Sequence, residues 1–530
     1  MVSPRFALAL LALVFPGVTS SIIVSREVTV STPLGTAQGV LGAVGANRFA
    51  VRYASAERWA PSAVVTKWSL PNNSTDPAAL PLQCPQNGVD ASTYSEDCLS
   101  MIFYVPVTVT AGSNVPTLVW IHGGSFDSGS ATGTGLDGSK LAVATNSVVA
   151  VIQYRLGALG LLAPNGPLNL AVQDTINALQ FVQKVVPSFG GNPARVTLAG
   201  QSSGAGMIRA LFAAPSASSL FHSAVLGSDP MDYGFTSTKT QSLLQSTFDS
   251  LISCSPSDSA CLAAVSISDI LDAQASVESN SQAIDPSTAL GEPLHPVLDG
   301  TLITNPLDST APFPKVTKPI LLTNVRNESI PTIYGVALPG PDPFPDFYFE
   351  ASCDVSLGAE RTAIVMDSPY YPLDASQDVR VQLEVLGTDY VWRCPTWTFA
   401  RSWVANGGKA FVGMFTLGAT YPDNEGVPEC LKAGAVCHED DIFIIFGTTP
   451  NPSPAQTQLT FEIQMRWKMF MLTDSPNAPA FPPWLPATTT DVHAREFGVL
   501  TTPSGEVPAL ACDPAFWGQE VQYDYQFYDL

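Results

Sequence analysis

The chain is poor in charged residues, and basic residues are the scarcer kind. Of its 530 residues 13% are charged, and 24 Lys and Arg stand against 46 Asp and Glu. No basic run occurs, and an acidic surface repels phosphate backbones, so nucleic acid is excluded as a partner. Hydrophobic residues make up 45% of the chain. This composition excludes a disordered protein and predicts a large core.

Metal-binding patterns are also scarce. The chain has five histidines and no C-x-x-C pair, which argues against a structural zinc site. We expect neither a metal ion nor a cofactor. The nine cysteines favour disulfides, and their odd number leaves at least one without an intramolecular partner. The spacing offers three local pairs, which are Cys84 with Cys98, Cys254 with Cys261, and Cys430 with Cys437.

Long apolar runs are missing except at the N-terminus. There one Arg precedes the apolar run Phe6–Phe15, and small residues follow it. This pattern predicts a signal peptide over residues 1–20, too short to span a membrane, and a secreted chain without a transmembrane segment. Asn72 and Asn73 begin overlapping N-x-S/T sequons in "PNNSTDP". These sequons predict glycosylation in an exposed loop.

Apolar strands alternate with helical patterns along the chain. "TLVWIHGG", "SVVAVIQYR", "VTLAG", "PILLTNV" and "KAFVGMF" have the length of buried strands, whereas "AVQDTINALQFVQKVV" has helical spacing. Such alternation predicts βαβ units and a large, mostly parallel sheet flanked by helices. Residues from about 232 to 318 and from about 333 to 382 fit poorly, so we expect them to be insertions packed over the sheet. Without a repeat or a linker, residues 21–530 are expected to form one domain.

The motif Gly200-Gln201-Ser202-Ser203-Gly204 lies between an apolar strand and a helix-like segment. A G-x-S-x-G pattern arises easily by chance, and Ser202 could belong to an ordinary turn. A tight turn from strand to helix, however, exposes the serine oxygen at the carboxyl edge of a parallel sheet. The free N–H groups and positive dipole end of the helix point at the same place. The context favours the nucleophile elbow of an α/β-hydrolase fold.

A nucleophilic serine needs a base, an acid that orients the base, and donors for the oxyanion. Only His438 and His493 lie well beyond Ser202, where this fold places its histidine. From position alone either histidine is structural more often than catalytic. "WIHGGSF", a glycine-rich turn after a strand, is the candidate oxyanion turn.

The chain resembles the type-B carboxylesterases, the family of cholinesterases and several fungal lipases, and it resembles the secreted fungal members most. The resemblance rests on "FGGNPARVTLAGQSSGA", "YRLGALGLL", "LNLAVQDTINAL", "TNVRNES" and "CHEDDIFIIFG", while "EDCL" matches a further signature in its first half. It implies that Ser202 attacks an ester carbonyl, that His438 is the base and that Glu328 is the acid. It also implies that the N–H groups of Gly124, Ser125 and Ser203 form the oxyanion hole.

Other roles also follow from the resemblance. Ser228 would support the acid from behind. The pairs Cys84–Cys98 and Cys254–Cys261 would be joined by a third, Cys394–Cys512. Cys430–Cys437 would then be an additional bond, and Cys353 would stay unpaired.

Three segments depart from the family pattern. Ser125 replaces a glycine of the oxyanion turn, and Gln201-Ser202-Ser203 stands where the elbow usually has Glu-Ser-Ala. The acid loop reads Asn327-Glu328-Ser329 instead of Asp-Glu-Gly, which leaves Asp354 as an alternative acid.

Two other functions compete with that of a serine carboxylesterase for small-molecule esters. A lipase for acylglycerols is one, but the loop Pro85–Asp97, where related lipases carry a lid, is short and polar. A non-catalytic, cholinesterase-like adhesion or binding protein is the other. Such relatives usually lose the serine, whereas all three triad positions are occupied here. We therefore expect an enzyme whose partner is a small-molecule or lipid ester.

Overall fold

A computed structural model describes most of the chain. The described residues are 27–42, 44–164, 166–288, 292–308, 310–498, 506–512 and 516–517. The signal peptide expected over residues 1–20 lies outside them. Within the described ranges, no helix combines the length and the apolar character that crossing a membrane requires.

The strands form one large sheet and one small one. In chain order they are β1 Glu27–Thr32, β2 Gly35–Leu41, β3 Ala46–Arg52, β4 Ala54–Ser55, β5 Ala63–Val64, β6 Ser100–Pro106, β7 Val115–Ile121, β8 Val148–Ile152, β9 Gly191–Gln201, β10 Ser223–Gly227, β11 Pro319–Val325, β12 Lys409–Phe415 and β13 Arg495–Phe497. β4 and β5 pair separately, and the other eleven follow the order β1-β2-β3-β6-β8-β7-β9-β10-β11-β12-β13.

The large sheet is antiparallel from β1 to β8 and parallel from β8 to β13. Every residue of β6, β7, β8, β10 and β11 is buried, because helices cover both faces. Along β7, Val119 and Ile121 join the core on one face, while Leu118 and Trp120 join the core on the other. The predicted mostly parallel sheet of an α/β-hydrolase is confirmed.

Fourteen α-helices surround the sheet in the part of the chain that the structure describes. They are α1 Ser139–Thr145, α2 Gly157–Leu161, α3 Leu170–Val185, α4 Ser203–Phe212, α5 Thr238–Leu251, α6 Ser259–Ala264, α7 Ile267–Ser279, α8 Ser281–Ile284, α9 Phe347–Leu357, α10 Ala359–Met366, α11 Arg380–Gly387, α12 Cys394–Ala405, α13 Ile442–Phe446 and α14 Pro454–Thr473. Pro331–Ala337 and Thr388–Arg393 are π-helical. The first expected insertion contains α5 to α8, and the second contains α9 and α10.

Four disulfides tie the loops together. They join Cys84 to Cys98, Cys254 to Cys261, Cys394 to Cys512, and Cys430 to Cys437. Cys353 is buried on α9 and has no disulfide partner. These pairs agree with every pairing that the spacing and the family resemblance suggested.

A buried ion pair connects α3 to the segment after β8. Nε and Nη2 of Arg155 donate to the two carboxylate oxygens of Asp174, at 2.7 and 2.8 Å, and Nη1 donates to the carbonyl of Ala60. Both side chains are almost fully shielded from solvent. Each charge therefore depends on the other for its solvation.

We expect Asp174→Asn to lower the free energy of unfolding by about 3–5 kcal/mol, because it leaves the buried guanidinium without a counter-charge. Denaturant unfolding followed by tryptophan fluorescence measures the change. The matched control is Asp97→Asn, which breaks the half-exposed pair with Arg52 at 2.8 Å and should cost about 1 kcal/mol or less. Equal losses in the two variants would contradict the role given to burial.

Candidate active site

Ser202 occupies a sharp turn between β9 and α4. Its φ and ψ of 55° and −131° are unusual for a residue with a side chain, and its N–H donates to the carbonyl of Gly227 at 2.9 Å. A Cβ at Gly204 would lie 2.2 Å from the carbonyl oxygen of Ile121, and one at Gly200 would lie 2.6 Å from the backbone of Gly204. Both glycines are required by this close approach, and the turn is the predicted elbow.

Glu328 and His438 meet beside this elbow. Glu328 lies just after β11, and its Oε2 is 2.6 Å from Nδ1 of His438. Its Oε1 accepts the N–H of Val325 at 2.7 Å, so both carboxylate oxygens are engaged. A proton on Nδ1, shared with the carboxylate, leaves the lone pair of His438 on Nε2. In the neutral form of His438 this is the tautomer that a general base needs.

Hydrogen bonds that involve the backbone join the two loops across 109 positions of sequence. The N–H of Asn327 donates to the carbonyl of Val436 at 2.9 Å, and the side-chain oxygen of Asn327 accepts the N–H of Val436. The disulfide Cys430–Cys437 closes the loop immediately before His438. Asn327 thus has a structural role in this chain, where the family pattern has Asp.

Several carboxyl groups shape the charge on His438. Burial lowers the pKa of His438, but the hydrogen bond and charge of Glu328, helped by Glu439 and Asp441, outweigh burial and raise the pKa to about 9. Asp441 is itself fully buried, and neither of its oxygens has a hydrogen-bond partner among the described residues. Burial and the charge of Glu328 raise the pKa of Asp441 to about 7. Sequence reasoning missed Asp441, although the run Glu439-Asp440-Asp441 follows His438 directly.

Gln201 contacts the histidine from the side of the elbow. Its amide nitrogen lies 3.1 Å from Nε2 of His438 and, when the ring is neutral, donates to the lone pair there. Nε2 has a single lone pair, and no hydrogen bond joins it to the Ser202 hydroxyl in the part of the chain that the structure describes. Such bonds are often absent before substrate binds. Gln201 therefore occupies Nε2 of His438, the atom to which Ser202 Oγ would transfer its proton.

The glycine-rich turn packs against the elbow. A Cβ at Gly123 would lie 3.0 Å from Cβ of Ser202, which shows how closely the two segments approach. Gly124 and Ser125 both have positive φ, of 105° and 51°. No hydrogen bond between described residues uses the N–H groups of Gly124, Ser125 or Ser203. These groups are available to an oxyanion, as the resemblance implies.

The other predicted residues lie as follows. Ser228 follows β10, but its hydroxyl makes no hydrogen bond to any described residue, so its support of Glu328 stays a prediction. Asp354 is exposed on α9, and Glu328, not Asp354, contacts His438. His493 has carboxylate oxygens of Asp491 and Glu506 at 3.4 and 3.7 Å.

An apolar cavity lies beside the histidine. The ring of Trp392 is 5.6 Å from the ring of His438, and Trp392 also lines a cavity of about 370 Å³. The second insertion and the segments next to it supply most of the remaining wall, including Ile333, Leu338, Leu357, Leu383 and Leu386. The sequence placed these segments over the sheet but did not reveal the cavity.

Comparisons with known proteins identify the family of the chain. The model of the carboxylesterase family matches residues 26–503. Carboxylesterase 1C of Rattus norvegicus is 26% identical over 458 residues, which cover 81% of this chain and 80% of that protein. The cAMP-regulated D2 protein of Dictyostelium discoideum is 32% identical over 315 residues, or 57% of this chain and 55% of that protein.

Among solved structures, a PNB esterase shares the fold with a TM-score of 0.70 and 24% identity, covering 88% of this chain and 95% of that one. The particular likeness to secreted fungal members stays a prediction. The family match extends over most of the chain and includes the elbow, the acid loop and the histidine loop. The chain belongs to the carboxylesterase family.

Proposed function

We propose that the protein is a secreted serine hydrolase that cleaves carboxylic esters through Ser202, His438 and Glu328, with an acyl-enzyme intermediate. The observation that carries the proposal is the 2.6 Å contact between Glu328 and His438, next to a strained serine elbow. A nucleophile, a base and an orienting acid on three separate loops of one sheet edge are what acyl transfer needs.

The chemistry proceeds in two steps. Ser202 Oγ attacks the ester carbonyl while its proton moves to Nε2 of His438, and the N–H groups of Gly124, Ser125 and Ser203 stabilise the oxyanion. The C–O bond then breaks, and His438 returns the proton to the departing alcohol. A water molecule then attacks the acyl-enzyme while its proton moves to His438, and as the bond to Ser202 Oγ breaks His438 returns that proton to Oγ and the acid is released. The amide of Gln201 must leave Nε2 before the first proton transfer.

The structure supports a small or medium-sized ester as the substrate. The 370 Å³ cavity beside Trp392 offers apolar walls for a hydrocarbon group. Between Cys84 and Cys98 the loop is mostly exposed, with one short helical turn at Ala91–Thr93. An acylglycerol lipase needs an apolar face to meet an oil surface, and this loop has none. The occupied triad positions argue against a non-catalytic binding protein.

Secretion is proposed on the predicted signal peptide and is supported by the four disulfides, which form in oxidising compartments.

The two sequons differ in the structure. Asn72 is half-buried, and its amide nitrogen donates to the carbonyl of Leu80 at 2.8 Å. Asn73 is exposed. We propose Asn73 as the glycosylated residue.

We expect Ser202→Ala and His438→Ala each to lower kcat/KM for p-nitrophenyl butyrate by about 10⁴-fold or more, because nucleophile and base act as one unit. His493→Ala is the matched control and should change kcat/KM little. Labelling by a fluorophosphonate probe gives a second measure of Ser202. Near-wild-type turnover by purified Ser202→Ala, or a greater loss in His493→Ala than in His438→Ala, would sink the assignment.

We expect Gln201→Glu to shift the acid limb of the kcat/KM profile to higher pH by about one unit, or roughly 1.4 kcal/mol. A carboxylate beside Nε2 stabilises the imidazolium, so the base becomes neutral only in more alkaline solution. Gln201→Met is the control, since it removes the amide donor but adds no charge, and it should shift the limb less. No shift, or a shift to lower pH, in Gln201→Glu would contradict the expected charge interaction between position 201 and His438.

We expect protein secreted from a eukaryotic host to lose one glycan in Asn73→Gln and to keep it in Asn72→Gln. Neither substitution destroys the other sequon, so the two variants are matched. Intact mass before and after endoglycosidase treatment measures the glycan. A glycan that survives Asn73→Gln but not Asn72→Gln would reverse the assignment.

A further inference from the structure

The side chain of Ser125, which replaces a glycine of the oxyanion turn, has a specific partner. Its hydroxyl donates to Oε1 of Glu292 at 2.6 Å, across 167 positions of sequence. Ser125 has a left-handed backbone with φ of 51°, a conformation that disfavours most side chains. The hydrogen bond therefore fixes the carboxylate of Glu292 against the turn that approaches the nucleophile.

The backbone of Glu292 is also held by a hydrogen bond. The ring nitrogen Nε2 of His295 lies 2.6 Å from the carbonyl oxygen of Glu292. His295 is buried between the rings of Phe126 and Tyr233, at 5.4 and 5.6 Å. Burial lowers the pKa of His295 to about 4, so the ring is neutral and donates its Nε2 proton to that carbonyl. The backbone under Glu292 is thus held in place independently of its side chain.

The second carboxylate oxygen of Glu292 has no hydrogen-bond donor among the described residues. This atom, Oε2, is buried. A buried carboxylate oxygen without a donor costs free energy, and burial is the main reason that the pKa of Glu292 is raised. The charge of His438 acts in the opposite direction and lowers that pKa, which shows that Glu292 and the histidine share one electrostatic environment.

No nearby cation satisfies this oxygen. The guanidinium of Arg209 is committed to Asp229, with two hydrogen bonds of 3.0 Å, and to the carbonyl of Tyr233. Asp127 adds a further buried acid, whose pKa burial and the charges of Glu278 and Glu292 raise to about 7. Within the described ranges, no salt bridge involves Glu292 or Asp127. Among the described residues, this side of the site therefore has more acids than cations to pair with them.

We propose that Oε2 of Glu292 is a recognition group for a hydrogen-bond donor on the substrate, a hydroxyl or an ammonium group close to the scissile ester. The substrate would supply the donor that Oε2 lacks among the described residues, and Ser125 would hold the carboxylate in the orientation to receive it. A site built to bond such a group discriminates against the analogue that lacks it, because the buried acceptor then stays unsatisfied. This inference rests on the proposed function and names the substrate class of the same site.

The test compares matched esters that differ in one donor. On the acyl side these are ethyl butyrate, ethyl 3-hydroxybutyrate and ethyl 3-aminobutyrate. On the alcohol side they are propyl butyrate, 2-hydroxyethyl butyrate and 2-dimethylaminoethyl butyrate. Acid release measured by pH-stat gives kcat/KM for wild type, Glu292→Leu and Glu292→Gln. The ratio of donor ester to apolar ester within one variant cancels any general loss that follows from disturbing Ser125.

We expect this ratio to fall about tenfold or more in Glu292→Leu on at least one side of the ester, as for loss of a hydrogen bond to a charged group. Glu292→Gln keeps a hydrogen-bond acceptor and nearly the same shape, so it should preserve part of the preference for the hydroxyl ester. It removes the negative charge, so it should lose a larger part of the preference for the amine ester. It also serves as the readout if the leucine variant does not fold. Glu360→Leu, which alters an exposed acid at the start of α10, is the matched control and should keep the wild-type ratio.

The inference is overturned if the ratio in Glu292→Leu stays within about twofold of the wild-type ratio on both sides of the ester. Where the leucine variant does not fold, the same criterion applies to Glu292→Gln. Failure of the proposed function looks different. In that case wild type would not hydrolyse ethyl butyrate, or its hydrolysis would persist in Ser202→Ala. The side of the ester on which the ratio falls also tells whether the donor belongs to the acyl or the alcohol part of the substrate.

Discussion

The hydrogen bond between Glu328 and His438 is the interaction on which the arrangement of the site depends. It joins two loops at one edge of the sheet and leaves the Nε2 lone pair of the imidazole toward the elbow. The parallel strands β9 and β11 lie on either side of β10, which brings the elbow and the acid loop to the same edge. The disulfide Cys430–Cys437 and the pairing of Asn327 with Val436 then hold the histidine loop against the acid loop. The two side chains meet because several backbone contacts have already positioned their loops.

The parts of the fold that the sequence predicts well are those with strong local patterns. The buried run "PILLTNV" became β11 without any shift of its ends, and the helical spacing of "AVQDTINALQFVQKVV" became α3 within one residue. The elbow could be predicted because its glycines, its apolar strand and its helix are contiguous. The close backbone approach leaves no room for a side chain at positions 200 and 204, and the glycines at both positions can be read from the sequence.

The parts that could not be predicted depend on contacts between distant segments. Glu292 lies in "GEPLHPVLDG", which has no periodic pattern, and its partner Ser125 is 167 positions away. The departure at Gln201 was visible in the sequence, but its bond to Nε2 of His438 was not, since it requires the orientation of both side chains. The cavity beside Trp392 likewise needs the mutual packing of α9, α11 and the π-helical segments, for which local propensity gives no register.

The surplus of carboxylates around His438 bears on the end of the reaction as well as on its beginning. Glu328 and Asp441 are buried next to His438, whose charge also acts on Glu292, and the described part of the chain pairs none of the three acids with Arg or Lys. Hydrolysis of an ester turns a neutral ligand into an acid that carries a negative charge at neutral pH. In a poorly screened site such a product is repelled by charges that left the neutral ester undisturbed. Where these acids are ionised, they therefore favour departure of the product and oppose its return from solution.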